Sequence, residues 1–115
     1  MTEPTAQQVL VAGALEVVPA AYTARAGGQV VQLTPREFEL LLELMRRRDL
    51  VVSREELYRL CWGGELESSD RAVDVYVRKL RRKLELVLPS WAFIHTHWRL
   101  GYRFSPVPNQ APRAA

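Results

Sequence analysis

The sequence predicts an α+β domain, with a short antiparallel sheet first, three helices next and a β-hairpin last. Three observations carry that prediction. Residues 9–33 break into short apolar runs separated by glycine and proline, residues 34–88 carry apolar side chains at helical spacing behind capping signals, and residues 91–104 are mainly aromatic and β-branched.

At 115 residues the chain is one domain with a modest core, and 48% apolar and 25% charged residues suit a soluble globular protein. The net charge of +3 conceals a split. Residues 1–70 hold 7 basic and 11 acidic side chains, whereas residues 71–115 hold 9 basic and 2 acidic. Such asymmetry points to a polyanion on one face. The start, MTEPTAQQ, has no basic leader region, and no stretch is long and apolar enough for a bilayer. The lone Cys61 has no internal disulfide partner, which fits a reducing cytoplasm, and no membrane partner is expected.

Residues 1–8 are expected to be disordered. Val9–Val11, Leu15–Val18, Tyr22–Ala24 and Val30–Leu33, broken by Gly13, Pro19 and Gly27-Gly28, read as three or four short antiparallel strands. The first helix has a well-marked start. Thr34 is its N-cap, Pro35 fits the first helical position, Glu37 completes a capping box, and Leu33 with Phe38 form the hydrophobic staple. Phe38, Leu41, Leu42 and Met45 form its apolar face. Arg46-Arg47-Arg48 read as a solvated helix end, because Glu37, Glu39 and Glu43 lie on the same helix.

Ser53-Arg54-Glu55-Glu56 repeats the capping-box device, with Val52 and Leu57 as staple, and opens a short helix to about Trp62. Cys61 lies among Leu57, Leu60 and Trp62 and reads as a packed thiol, with no histidine near it in sequence to activate a nucleophile. Gly63 to Glu67 is a connecting loop.

The stretch Glu67 to Leu88 is the basic helix. Val73, Val77, Leu80, Leu84 and Val87 make one apolar stripe, with Tyr76 at its edge, while Arg71, Val75, Arg78, Lys79 and Arg82 fall on the far side. Ser68 or Ser69 caps it, Asp70 suits the positive end of its dipole, and Pro89 stops it. Between residues 71 and 83 stand Arg71, Arg78, Lys79, Arg81, Arg82 and Lys83 against the single acid Asp74. A helix that is merely solvated interleaves both signs. A one-signed face around a small apolar residue suits a DNA major groove, where cations read guanine and a valine meets the thymine methyl.

Trp91 to Phe104, with Leu100-Gly101 near its middle, reads as a terminal hairpin. His95 and His97 share one face of its first strand, but with no acidic or cysteine partner nearby no metal site is expected, and no cofactor either. Residues 106–115, which follow Ser105 and are proline-rich, are expected to be disordered.

This order of elements is that of a winged helix-turn-helix. At Leu33-Thr34-Pro35-Arg36-Glu37-Phe38, Ser53-Arg54-Glu55-Glu56-Leu57, Trp62-Gly63, Asp70-Arg71-Ala72-Val73-Asp74-Val75, Leu80-Arg81-Arg82-Lys83-Leu84-Glu85 and Gly101-Tyr102-Arg103-Phe104, the sequence resembles one family. It is similar to the DNA-binding output domain of bacterial two-component response regulators of the OmpR/PhoB type, over residues 9–105. The resemblance implies a third helix in the major groove of double-stranded DNA and a hairpin wing near the minor groove. It implies base reading by Asp74, Val75 and Lys79, and phosphate contacts from Trp62, Arg71, Arg78, Arg81, Thr96 and Tyr102. The helical-face reading selects Arg71, Val75, Arg78 and Lys79 independently and adds Arg82. The bland role of Asp74, four residues before Arg78, is to hold that guanidinium. The loop Gly63 to Ser69 corresponds to a segment that contacts RNA polymerase in the family, and its bland role is a connector.

Two departures stand out. The family wing carries an arginine followed by glycine at its tip, where this chain has Trp98-Arg99. Arg99 is then the candidate minor-groove cation, and for Trp98 packing on the sugar edge or on the domain itself stands open, its bland role being to stiffen the hairpin. No receiver domain precedes residue 1, which fits either a stand-alone regulator or an excised domain. The function expected is sequence-specific DNA binding in transcription, without catalysis, by a chain monomeric in isolation, with pairing on DNA left open. The rival is a protein-interaction module on the same scaffold, distinguished by weak salt dependence.

Overall fold

Alternating small apolar and polar residues build the first layer. The computed structural model describes residues 8–109, beginning with strands β1 (Leu10–Ala12), β2 (Leu15–Val18), β3 (Thr23–Ala26) and β4 (Gln29–Val30), hydrogen-bonded in that order as an antiparallel sheet. Leu15 faces Ala26 and Val17 faces Ala24, so these four side chains and Ala12 are buried on one face, while Val11, Glu16 and Arg25 are exposed on the other. The expectation of disorder for residues 1–8 lies, but for Gln8, outside the described residues.

Helix α1 (Pro35–Arg46) starts at the predicted capping box. Thr34 Oγ1 accepts from the Glu37 amide at 3.2 Å, and Glu37 Oε1 accepts from the Thr34 amide at 2.9 Å. Leu40 and Leu44 are buried together with the four predicted residues, because α1 packs on both other helices and the last strand. The three arginines at its end are all occupied locally. Arg46 and Arg47 pair with Glu43, and Arg48 donates to the carbonyl of Val11 at 3.0 Å.

Strand β5 (Val51–Val52) escaped the sequence reading, since two residues carry no readable period. Helix α2 (Arg54–Cys61) has half the expected capping box: Ser53 Oγ accepts from the Glu56 amide at 3.1 Å, but the Glu56 carboxylate turns to Arg59. Helix α3 (Ala72–Val87) begins later than expected. Neither Ser68 nor Ser69 caps it. The N-cap is Arg71, which makes no side-chain cap bond, and Asp70 just before it accepts from the Ala72 amide at 2.8 Å after a turn that runs from Glu67 to Asp70. Val73, Val77, Leu80 and Leu84 are buried as predicted, each adding about 1.5–3 kcal/mol of apolar burial. Val87 is exposed, because the last turn of α3 runs past the core.

Strands β6 (Trp91–His97) and β7 (Gly101–Pro108) form the hairpin, and β5 joins β7 to give a second sheet in the order β5-β7-β6. The expectation of a disordered tail from residue 106 is corrected here. Pro108 pairs with Trp91, Val107 pairs with Ala92, and the Asn109 amide donates to the Ser90 carbonyl at 2.7 Å. Pro106 and Pro108 are tolerated because β5 reaches only to the level of Tyr102 and Arg103, leaving this end of β7 free on one side. The expected disorder of residues 110–115 lies outside the described residues.

Candidate nucleic-acid interface

Burying the stripe of α3 decides where its cations go. Arg78, Lys79 and Arg82 stand exposed on the face away from the core, and Val75 lies half-buried among them. Lys79 Nζ sits 5.1 Å from the ring centroid of Tyr76, while no hydrogen bond or ion pair among the described residues uses Arg78 or Arg82. Two cations of the sequence run point elsewhere. Lys83 reaches back to Glu37 Oε1 at 2.6 Å, and Arg81 Nη1 donates to the Ile94 carbonyl at 3.1 Å and Thr96 Oγ1 at 3.0 Å. Arg81 and Thr96, both expected at phosphates, therefore clamp α3 to β6.

Glu37 is fully buried, so its charge needs partners. Burial pushes its carboxyl up, but the Lys83 ammonium and the Thr34 amide outweigh it and hold the group below its ordinary value. This pair ties the start of α1 to the fourth turn of α3.

Asp74 is the junction of three elements. Its Oδ1 accepts from Arg54 Nε at 3.1 Å and from the Tyr102 hydroxyl at 2.6 Å, while its Oδ2 lies 3.4 Å from Arg71 Nη1. The expected pairing with Arg78 is not formed, because Arg54, at the first position of α2, faces the first turn of α3. Arg54 Nη2 also donates to the Asp70 carbonyl at 3.1 Å, fixing the end of the loop. Tyr102 is buried, and burial followed by the bond to Asp74 pushes its hydroxyl up to about 12, so it stays a donor. Its hydroxyl proton is thus engaged inside the domain. The Arg71 side chain is 73% exposed and keeps most of its donors free.

Trp62 closes α2 as part of an aromatic stack. Its ring lies parallel to Tyr58 at 5.3 Å and edge-on to Tyr76 at 5.4 Å, with the Arg36 guanidinium 4.7 Å from its centroid. Arg36 Nη1 is buried without a hydrogen-bond partner, which its place over the indole face offsets. Neither Arg36 nor Arg54 was selected from sequence. Each follows a helix cap, and only the packed fold shows what it faces.

The wing supplies the other half of the interface. Residues His97 to Leu100 form its turn, closed by the Leu100 amide donating to the His97 carbonyl at 2.8 Å. Arg99 holds φ of 68° at the third position, which in such a turn takes positive φ. Its guanidinium lies 4.5 Å from the Trp98 ring centroid. His95 Nε2 meets the Ser105 carbonyl at 2.8 Å, and His97 Nε2 accepts from Arg103 Nε at 3.0 Å, so both imidazoles serve the hairpin. An open groove of about 290 Å³ separates the wing from α3, and Arg71, Asp74, Thr96, Arg99 and Tyr102 all line it. Trp62, Val75, Arg78, Lys79, Arg81 and Arg82 lie outside it, on α3 and at the end of α2. Cys61 is buried, and burial with Glu43 and Glu39 nearby pushes its thiol up to about 12, consistent with packing alone.

The pattern of the family described as "Transcriptional regulatory protein, C terminal" matches residues 28–104. The transcriptional regulatory protein SrrA of Staphylococcus aureus is 38% identical over 112 residues, which cover 96% of this chain and 46% of that protein. The chain thus spans about half the length of that relative. The DNA-binding domain of CpxR from E. coli shares the fold with a TM-score of 0.78 and 34% identity, over 85% of this chain and 96% of that one. The DNA-binding domain of Klebsiella pneumoniae RstA, solved in complex with the RstA box, gives a TM-score of 0.79 at 29% identity, over 87% and 99% of the two chains. The fold is a winged helix-turn-helix. No helix of the described residues is long and apolar enough to cross a membrane.

Proposed function

Since this chain belongs to the family of C-terminal domains of transcriptional regulatory proteins, of the OmpR/PhoB response-regulator type, we propose that it binds double-stranded DNA sequence-specifically to regulate transcription. The observation that carries this reading is the outward face of α3. Arg78, Lys79 and Arg82 stand exposed around Val75, while Asp74, the acid in the first turn of the same helix, is paired from inside. The complex of the RstA domain with the RstA box supports DNA as the partner here.

In this reading α3 enters the major groove. Lys79 and Val75 read base edges, while Arg71, Arg78, Arg82 and the indole N–H of Trp62 meet phosphates. Asp74 and Tyr102 act as positioning residues, and Arg81 with Thr96 sets the wing against the helix. Arg99 carries the minor-groove contact. The chain works without catalysis, in the bacterial cytoplasm. It is monomeric in isolation and free to pair on DNA. The loop from Gly63 to Ser69 is exposed apart from Leu66 and carries the acids Glu65 and Glu67, which suits a protein contact such as RNA polymerase better than a phosphate.

The test is selection of bound fragments from a random duplex pool, followed by titration of the enriched site against salt. Enrichment of one motif with affinity falling steeply as salt rises supports the reading. A surface that binds protein instead would enrich nothing and respond weakly to salt.

A further inference from the structure

Building on the DNA-binding reading, we propose that Trp98 is a DNA contact in its own right. Arg99 reaches into the minor groove while the indole of Trp98 lies on the deoxyribose edge at the groove's lip.

The hairpin does not use this indole. Trp98 is 76% exposed and Leu100 is 65% exposed, so neither belongs to the core. The turn is closed by the backbone bond from Leu100 to His97 and by the fit of Gly101 against Val52. Packing of Trp98 against the domain itself is not formed, since the indole is exposed. Among the described residues the Arg99 guanidinium stacks on it at 4.5 Å.

That stack has a chemical consequence. A guanidinium lying flat on an indole keeps its N–H edges free for acceptors, and it loses less side-chain entropy on binding because its orientation is already restricted. The minor groove is only about 6 Å wide, enough for a guanidinium but not for a guanidinium and an indole side by side. The indole therefore stays outside, where the C–H faces of the sugars offer apolar cover. Charge selects DNA over an apolar protein as the occupant. The groove beside the tip holds Arg54, Arg71 and Arg99, and of its two acids Asp74 is already paired.

The experiment uses the full chain and the duplex found by selection, with Trp98→Ala, Trp98→Phe and Arg99→Ala compared for affinity, salt slope and thermal midpoint. Trp98→Ala should weaken binding about tenfold, the loss expected when an exposed indole no longer buries apolar surface. It should leave the salt slope and the midpoint unchanged, since it removes no charge and no core contact. Trp98→Phe should restore most of the affinity, and Arg99→Ala should lower the salt slope by about one. Wild-type affinity in Trp98→Ala, or a lowered midpoint, would overturn the proposal. So would self-association of the free chain that Trp98→Ala abolishes, because a second copy would then be the occupant. If the unsubstituted chain bound no duplex at all, the underlying reading would fall and this one with it.

Discussion

Tyr102 donates its hydroxyl proton to Oδ1 of Asp74 across 2.6 Å, joining the first half of the wing's second strand to the first turn of the basic helix. Arg54 holds the same oxygen, so α2, α3 and the wing meet at one carboxylate. Tyr102→Phe should therefore cost stability, about 1–2 kcal/mol for a lost hydrogen bond to a charged group. The dependence of DNA affinity on salt should not change. Urea denaturation and a salt titration check both halves, and a loss of DNA affinity at unchanged stability would return the neutral Tyr102 hydroxyl to the phosphates.

Lys79 and Arg78 are neighbours on the exposed face and should behave differently. Lys79→Ala should weaken the preferred site by about 1–3 kcal/mol and random DNA less. Arg78→Ala should weaken both alike and flatten the salt slope. Parallel titrations on the two duplexes distinguish the outcomes, and equal losses for Lys79→Ala would remove it from the base readers.

The buried pair of Glu37 and Lys83 sets a pH dependence of folding. The folded carboxyl lies below its unfolded value, so its contribution is fully present above ~4.3 and fades as pH falls through the lower folded value. Glu37→Gln should cost about 1–3 kcal/mol at neutral pH and flatten the acid limb of the stability curve. Denaturation midpoints of both proteins from neutral to acid pH test this. Parallel curves would contradict it.

Gly101 sits at φ of 143°, and an added Cβ would come 2.0 Å from the Val52 carbonyl oxygen, a backbone atom with no room to retreat. Gly101→Ala should thus cost about 2–4 kcal/mol by separating β5 from β7. Circular dichroism melts give the size of the loss. A wild-type melting point would mean that the hairpin closes without β5.

The helices were legible because their signals are local. Thr34, Pro35 and Glu37 mark the start of α1 within four residues, and the stripe from Val73 to Leu84 repeats at helical spacing. The exposed cations Arg78, Lys79 and Arg82 followed from the same geometry. What stayed hidden depends on contacts between distant parts of the chain. Arg54 meets Asp74 across twenty residues, and Lys83 meets Glu37 across forty-six, so helical-face reasoning could not separate Lys83 from the outward cations. The residues from Pro106 to Pro108 read as tail because proline content outweighs pairing in composition, although one free edge of β7 accommodates them.

The most direct test of the central claim is the ratio of affinities for the selected duplex and a scrambled one, measured across salt concentration. The proposed binding mode predicts that affinity for both falls as salt rises, since Arg71, Arg78 and Arg82 would release counterions from phosphates in either duplex. It also predicts a preference for the selected sequence that survives at high salt and collapses in Lys79→Ala. Binding insensitive to salt, or equal for the two duplexes throughout, would contradict the account.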